Sequence, residues 1–409
     1  MDPHITEWLN LAIRWAHMVV GIAWIGASFY FVWLENNLNR VNPKQGLAGD
    51  LWAIHGGGIY HLEKYQLAPN NMPERLHWFK WEAYFTWITG MLLLCVIYYL
   101  NAELYLMAAD SMLSAPASVA LGILSLFVGW FVYDALSDSV LKNYPIVLAL
   151  VLFTFFMTAS YGMVQVFSGR GAYIHIGAMI GTIMVGNVFR VIIPAQRDLV
   201  KAIQEQRPPD PALPANALLR SRHNNYMTLP VLFIMISNHF PSTYGSSFNW
   251  AILAGLSVVG IMLRHYFNTR DLSQKFVWLI PAAALGMIIL AFVSSPYKST
   301  GNAQQKTHDV AMASVDDVTM GLISFEEVND VIRLRCTVCH STAPSNPLFS
   351  TAPAGVMFDT PQDIVRHLPS IIIQSVQSKV MPPSNTTQMT DEERALIGAW
   401  AAQERSEKE

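Results

Sequence analysis

The chain has 409 residues, of which 52% are hydrophobic and only 13% are charged. Soluble globular proteins have about 25% charged residues, so this composition excludes an ordinary soluble protein and indicates a membrane protein. The net charge of −3 says little about binding partners, and we expect no nucleic acid among them. Membrane lipid is therefore the first partner that the sequence predicts.

Eight apolar stretches are long enough to cross the roughly 30 Å of hydrocarbon in a bilayer. They cover residues 8–34, 79–100, 118–136, 144–167, 172–193, 226–240, 249–267 and 276–295. The third and sixth are the weakest, because the third carries Asp134 and Asp138 at its end and the sixth is short and contains Pro230. The sequence therefore predicts an all-α fold, with an eight-span transmembrane helical bundle over residues 1–296 and a smaller domain after it.

Basic residues are distributed unevenly between the connections. Most Lys and Arg residues follow the first, third, fifth and seventh stretches, whereas the opposite set of connections carries only Arg170. Connections rich in Lys and Arg lie in the cytoplasm. Because the number of spans is even, both termini lie on the same side of the membrane, opposite to the cytoplasm. We therefore expect a multi-pass protein of a bacterial inner membrane with both termini in the periplasm.

Ionisable residues inside apolar stretches are rare and are functional candidates by default. The first stretch contains Arg14 and His17, and Gly21, Trp24 and Ser28 follow His17 along one helical face. A histidine one turn from a glycine suits a flat cofactor. A hydrogen-bonded histidine beside small packing residues has the same pattern, so both interpretations stay open.

The histidines of the apolar stretches form two layers by depth. The outer layer contains His17, His175 and His239, and the inner layer contains His77, His223 and His265, with His223 in the polar loop segment RSRHNN. His17, His175, His239 and His265 are candidates for binding a b-type haem. We favour His17 with His175 as an outer pair of ligands, with His77 and His265 as the alternative inner pair.

The densest polar cluster covers residues 75–82 (RLHWFKWE), at the start of the second stretch. The spacing of His77, Lys80 and Trp81 would place them on one helical face, and Glu82 adds a carboxylate. An aromatic belt with a lysine that reaches the membrane boundary would have the same composition.

The sequence CTVCH is typical of covalent attachment of a c-type haem. Two thiols one turn apart add to the vinyl groups of the porphyrin, and the next imidazole binds the iron. The chain has three cysteines, and Cys95 lies far from the motif, so no second pair completes a four-cysteine zinc site. We predict one haem c held by Cys336 and Cys339, with His340 as an axial ligand, after a polar periplasmic linker over residues 297–317.

A second axial ligand is expected downstream of His340. Met381, in the sequence KVMPP, is placed like the axial methionine of small class I cytochromes c. Met389 immediately precedes a helix start and is expected to be a packing residue, and Met357 is a weaker third option. We therefore predict a class I-like cytochrome c domain over residues 318–409. Ligation by His and Met raises the haem potential, so this domain should accept electrons from the rest of the chain.

This architecture resembles the bacterial membrane-bound urate oxidase (urate hydroxylase) family, in which an eight-span domain is fused to a C-terminal cytochrome c. The resemblance covers nearly the whole chain and rests on three segments: HMVVGIAWIGASFY from His17, LHWFKWEAY from Leu76, and CTVCH together with Met381. The first two segments are also similar to membrane protoporphyrinogen oxidases that use haem b, which favours His17 as a haem ligand.

The resemblance implies oxidation of urate to 5-hydroxyisourate in the membrane domain. Electrons would pass to the c-type haem and then to a terminal oxidase or a soluble cytochrome. Urate is a planar, electron-rich anion, so its site needs aromatic faces, a cation and a proton acceptor. His77, Lys80, Glu82 and Arg14 are the candidate catalytic residues for these roles. A two-electron donor feeding a one-electron haem also favours an additional b-type haem as an intermediate store.

Two other classes of protein stay open. A quinol or other small-molecule:cytochrome c oxidoreductase would oxidise menadiol-type quinols and ignore purines. A transporter with a fused redox sensor would contain paired inverted repeats with broken helices. Pro194 and Pro230 are too few and too poorly placed to support the transporter.

Overall fold

The computed structural model describes residues 2–67, 69, 72–295 and 323–406. Over these residues the chain is mostly helical and contains one small β-sheet. The linker predicted over residues 297–317 lies outside the described residues. Residues 2–295 form a membrane unit of long helices, and residues 323–406 form a C-terminal unit of shorter ones.

The helices of the membrane unit are joined mostly by short loops. They are α1 (Pro3–Asn37), α2 (Trp81–Leu93), α3 (Ala102–Tyr105), α4 (Ala115–Asp138), α5 (Pro145–Val164), α6 (Gly169–Gly186), α7 (Ile193–Gln204), α8 (Ala212–Ser237), α9 (Pro241–Tyr244), α10 (Asn249–Thr269) and α11 (Leu279–Val293). Helix α2 continues into a π-helical turn over Leu94–Tyr99, and a second π-helical turn over Asn187–Ile192 joins α6 to α7. Turns of this kind often occur at functional sites.

Seven helices of the described residues are long and apolar enough to cross a membrane, one fewer than the sequence predicts. They are compatible with a multi-pass membrane protein. The remaining predicted span, residues 226–240, belongs to α8, whose first half carries Arg220, Arg222 and His223 and lowers the hydropathy of the helix. Helix α8 nevertheless packs against both α6 and α10, so it lies inside the bundle although its composition does not identify it as a span.

The all-α prediction is wrong between α1 and α2. Strands β1 (Leu47–His55) and β2 (Gly58–Tyr65) pair as an antiparallel hairpin. Gly56 and Gly57 occupy the turn with φ of 57° and 80°, and a two-residue turn that needs positive φ at both positions strongly favours glycine. Two glycines between strand-like segments are a hairpin signal that a purely helical interpretation overlooks.

Helix α6 packs closely against its neighbours through glycines on both partners. A Cβ atom on Gly129 of α4 would lie 2.4 Å from Cγ of Met179, and one on Gly186 would lie 2.3 Å from the ring of Trp130. Small residues allow helices to approach closely in membranes, where van der Waals packing drives association. This packing sets the positions of the polar side chains described below.

The C-terminal unit contains α12 (Phe325–Arg335), α13 (Pro361–Ile371, extended by a π-helical turn over Ile372–Gln377) and α14 (Asp391–Ser406). Helix α12 begins with a capping box, in which Ser324 and Glu327 bond to each other's backbone N–H groups. Helices α12 and α14 pack together. The core residues between the helices are buried and apolar: Val328, Ile332, Phe358, Ile364, Ile371, Ile372, Met389, Ile397, Trp400 and Ala401.

The C-terminal unit contacts one end of the membrane unit, which we name the outer end. The hydroxyl of Ser384 donates to the carbonyl oxygens of Leu104 and Met107, at 3.1 and 2.7 Å. Ser350 lies 3.5 Å from the carboxylate of Glu7, at the start of α1. Val293 and Ser294, at the end of α11, line one cavity together with Ser384. The start of α1 and the end of α11 therefore both lie at the outer end.

Candidate functional site

The CTVCH segment forms a tight turn directly after α12. The backbone N–H groups of Cys339 and His340 donate to the carbonyl oxygen of Cys336, at 3.1 and 2.9 Å. The Nδ1 atom of His340 lies 2.9 Å from the carbonyl oxygen of Val356, so Nδ1–H donates there and the Nε2 lone pair is left for another partner. Burial lowers the pKa of His340, which favours the neutral imidazole that binds metals.

Three methionines of the C-terminal unit occupy different environments. Met389 is 2% exposed and belongs to the hydrophobic core, whereas Met357 is 38% exposed. Met381 is partly buried, its N–H donates to Gln374 (2.9 Å), and its carbonyl oxygen accepts from Arg394 (2.8 Å). These environments favour Met389 as a packing residue and leave Met381 as the candidate ligand.

The donor set of the C-terminal unit fits a covalently bound haem. Cys336 and Cys339 are free thiols, and the turn brings them next to His340. A c-type haem requires two thiols, an imidazole nitrogen and, for a high potential, a thioether. Cys336, Cys339, His340 and Met381 supply these groups, so they are the residues that would hold haem c.

A cavity of about 1220 Å³ lies between the C-terminal unit and the outer end of the membrane unit. We name it the interface cavity. The C-terminal unit contributes Lys379 and Met381 to its wall, and the membrane unit contributes Tyr105, Arg170 and Tyr244. Small-molecule pockets usually measure about 300–1,000 Å³. The interface cavity is therefore large enough for a cofactor or a substrate.

Arg170 is held among aromatic and amide groups in the wall of the interface cavity. Its Nε donates to the hydroxyl of Tyr98 and to Oδ1 of Asn238, both at 3.1 Å. Its guanidinium lies 4.7 Å from the centre of the Tyr105 ring. No described carboxylate forms an ion pair with Arg170. Its positive charge therefore lies beside the cavity without a neutralising side chain among the described residues.

The favoured outer pair of histidines does not meet. His17 Nδ1 lies 2.9 Å from the hydroxyl of Thr89, whereas His175 Nε2 lies 3.2 Å from the hydroxyl of Tyr99. Thr89 and Tyr99 are ten residues apart, which corresponds to about 15 Å along a helix. Two axial ligands must face each other across one iron, so His17 and His175 do not fit a shared b-type haem in this arrangement.

His175 is fully buried. Its Nδ1 lies 2.8 Å from the carbonyl oxygen of Gly171, and a Cβ on Gly122 of α4 would lie 2.6 Å from its Nε2. Because the hydroxyl of Tyr99 also lies beside Nε2, both ring nitrogens of His175 already have a hydrogen-bond neighbour. The described contacts are those of a hydrogen-bonded interior histidine.

The other predicted haem ligands are also separated. His239 lies exposed just beyond the end of α8. His265 pairs with the hydroxyl of Tyr226 at 2.7 Å, and its ring packs against Phe276. His77 packs against a different aromatic ring. The structure assembles no histidine pair for haem b among these residues, and we assign no electron-transfer step to that group.

The cluster at residues 75–82 is arranged differently from its prediction. Helix α2 begins only at Trp81, so the helical face predicted for His77, Lys80 and Trp81 is wrong. The turn before α2 instead places His77 Nε2 at 3.9 Å from Oε1 of Glu82. The other carboxylate oxygen of Glu82 is buried and has no hydrogen-bond partner among the described residues, which leaves it able to accept a proton or bind water.

Arg14 lies at the opposite end of the membrane unit from this cluster. Its guanidinium donates to Oδ1 of Asn10, at 3.1 and 3.2 Å. The cluster instead contacts α1 at Phe31, which packs against Phe79 at 4.9 Å. Arg14 and Phe31 are separated by about 25 Å along the helix. The four predicted catalytic residues therefore do not form one site.

A buried polar network that the sequence analysis missed occupies the inner end of the bundle. It consists of two hydrogen-bonded groups that share helix α8. One group joins α4, the π-helical turn after α6 and α8 through Tyr133, Asn187, Arg220, His223 and Asn224. The other joins α1, α8 and α10 through Ser28, Asn225, Arg264 and Asn268. The segment RSRHNN has the composition of a loop, but it is helical. The spacing of Arg220 and Asn224 by one helical turn was the available signal.

Arg220 and Arg264 are the two cations of this inner network. Arg220 is fully buried and lies 2.9 and 2.8 Å from the carboxylates of Asp134 and Asp138. Arg264 is 5% exposed, donates to Asn225 and stacks on Phe29 at 3.8 Å. Arg220 thus forms ion pairs between α8 and α4. Because its charge is neutralised by these partners, the polar first half of α8 is tolerated inside the bundle.

Comparison with known proteins identifies the membrane unit. Residues 3–295 match the family described as urate oxidase N-terminal, which is well over half of the chain. No curated protein and no solved structure matches. The match contains the cluster at residues 75–82, Arg170 and the inner network, and it ends before the C-terminal unit. The chain therefore belongs to the urate oxidase N-terminal family and is an oxidoreductase related to enzymes that act on urate.

Proposed function

We propose that this protein is a membrane-bound urate oxidase that transfers electrons from urate to a c-type haem in its C-terminal unit. The family match over residues 3–295 carries the assignment of urate. The CTVCH turn and the environment of Met381 support the haem, which when bound supplies one-electron transfer. A terminal oxidase or a soluble cytochrome would then accept the electrons.

The proposed reaction balances without dioxygen. Urate and water give 5-hydroxyisourate, two protons and two electrons, because the oxygen atom of water bonds to C5 of the purine. The electrons leave one at a time, and the protons pass to water or to a nearby base. Dioxygen is consumed only by the later acceptor, so no hydrogen peroxide should be released by this chain.

The position of the interface cavity favours oxidation at the outer end. Met381 and Arg170 both line this cavity, so a substrate there would be adjacent to the electron acceptor. His77, Lys80 and Glu82 lie at the inner end and stay a prediction from sequence. Glu82 and Tyr99 are separated by about 25 Å along α2 and the π-helical turn that continues it, and no described histidine pair bridges that distance.

We also propose that the outer end faces the periplasm of a bacterial inner membrane. The excess of Lys and Arg in the connections at the inner end supports this orientation. The C-terminal unit lies at the outer end with the start of α1, which agrees with covalent haem attachment outside the cytoplasm. A reporter that is active only in the cytoplasm should therefore be silent when fused at Ser299 and active when inserted near Pro208.

The choice of electron donor tests the proposed function. The purified full chain, kept free of oxygen and supplied with ferricyanide as acceptor, should convert urate to 5-hydroxyisourate. Menadiol in place of urate should give no turnover above the uncatalysed rate. Turnover with menadiol and none with urate would instead establish a quinol oxidoreductase.

Replacement of Met381 by His should lower the reduction potential of the haem while leaving its covalent attachment intact. A second imidazole stabilises the oxidised iron relative to a thioether, and axial ligands can change haem potentials over a range of about 0.8 V. A spectroscopic redox titration measures the shift.

Met389→Leu is the matched control, because Met389 is a core residue and leucine has a volume similar to that of methionine. It should leave the potential and the axial-ligand spectrum unchanged. If Met389→Leu alters that spectrum and Met381→His does not, the assignment of the axial methionine is wrong.

A further inference from the structure

We propose that the interface cavity binds the urate anion and that Arg170 is the side chain that pairs with its charge. This inference rests on the function proposed above and assigns that function a binding site. The sequence singles out Arg170 only as the one basic residue in the outer connections. The structure places it in the wall of a cavity that both units of the chain line.

The hydrogen bonds of Arg170 leave part of its guanidinium free. Nε is used by Tyr98 and Asn238, which fixes the plane of the group. The two Nη atoms form no hydrogen bond to another described residue. A planar guanidinium with its Nη atoms free can bind a carbonyl oxygen and a ring nitrogen of a purine anion in a bidentate manner.

The other basic side chains of the cavity wall are already engaged. Lys379 forms an ion pair with Asp391 at 2.7 Å. Arg394 donates to the carbonyl oxygens of Ser375 and Met381 and to Asn385. Arg170 is therefore the cation of this wall that is available to an anionic ligand.

Neutral aromatic groups surround Arg170. Burial raises the pKa values of Tyr105 and Tyr244, so both phenols stay protonated near neutral pH and add no negative charge that would repel an anion. Both residues line the cavity, and aromatic rings pack well against planar ligands. The cavity thus supplies two of the three groups that a urate site needs, a cation and aromatic rings, and water in the cavity is the proton acceptor.

This position also explains how the electrons leave. Met381, one of the residues that would hold haem c, lines the same cavity as Arg170, so a urate held by Arg170 would lie beside that residue and would need no carrier across the membrane. Urate gives up two electrons in turn, and water adds to C5. The two released protons can reach solvent because the cavity is open to it.

Equilibrium dialysis with radiolabelled urate on the purified full-length chain tests the proposal. Arg170→Gln should weaken binding by about tenfold to a hundredfold, as expected for loss of a hydrogen-bonded charge partner. Arg170→Lys keeps the positive charge but lacks the planar guanidinium that forms two parallel hydrogen bonds. Its affinity for urate should therefore fall between those of the wild type and Arg170→Gln. The absorption spectrum and thermal unfolding of each variant establish that it is folded and carries haem.

Two control variants separate this site from its competitors. Lys379→Gln changes another cavity cation, and Lys80→Gln changes the inner cluster, and both should bind urate as the wild type does. Wild-type affinity in Arg170→Gln, or a changed haem potential as its only effect, would overturn the proposal. Loss of binding in Lys80→Gln alone would assign the site to the inner end. Absence of urate binding in the wild-type chain would remove the proposed function itself, and this inference with it.

Discussion

Replacement of both Cys336 and Cys339 by alanine should abolish electron transfer from urate to an external acceptor while leaving urate binding intact. In the proposed haem c site, thioethers from Cys336 and Cys339 would fix the porphyrin beside His340, and the double variant would have no covalent bond to it. Haem staining of denaturing gels measures the loss of covalent haem, and an oxygen-free assay with ferricyanide measures the loss of electron transfer. This is the largest functional effect that we expect from any substitution.

Cys95→Ala is the matched control, because Cys95 lies in the membrane unit and takes no part in the motif. It should retain covalent haem and full activity. If the double variant still delivers electrons from urate at the wild-type rate, the C-terminal unit is not on the electron path, and the proposed route fails although the urate assignment survives.

Arg220→Ala should be the most destabilising substitution in the inner network. It removes a fully buried cation that contacts Asp134 and Asp138, and breaking a buried ion pair costs about 3–5 kcal/mol. We expect a loss of about 3 kcal/mol, because both carboxylates are partly exposed and can be hydrated. The free energy of unfolding in mixed detergent micelles measures it.

The control for Arg220 is Lys201→Ala, which removes an exposed ion pair with Glu205. Exposed pairs contribute at most about 1 kcal/mol, so this variant should unfold like the wild type. Equal stability of Arg220→Ala and Lys201→Ala would show that α8 is held in the bundle by apolar packing alone.

Hydropathy predicts most of the membrane unit because lipid-facing helices must be apolar along their length. Helices α5 and α10 lie within a few residues of the predicted stretches 144–167 and 249–267. Helix α8 shows the limit of this approach. Arg220 and Asn224 are acceptable inside the bundle only because other helices supply their partners, and a single sequence does not contain that information.

The candidate site also has features that the sequence predicts and features that it does not. Local patterns predict the CTVCH turn, because neighbouring residues determine the geometry of two thiols and an imidazole. Pairing His17 with His175 depends on the relative depth of two helices, and the structure separates them. Arg170 has no sequence signal beyond its isolation. Tyr98 and Asn238, which bond to it, and Met381, which lines the same cavity, come from distant parts of the chain.

An oxygen-free titration of the purified full-length chain with urate tests the central claim most directly. One haem accepts one electron and urate releases two, so each urate should reduce the c-type haems of two chains, with 5-hydroxyisourate as the product. The reduced haem absorbance would report this stoichiometry. An oxidised haem that does not respond to urate, together with urate consumption only in the presence of oxygen and release of hydrogen peroxide, would contradict the account.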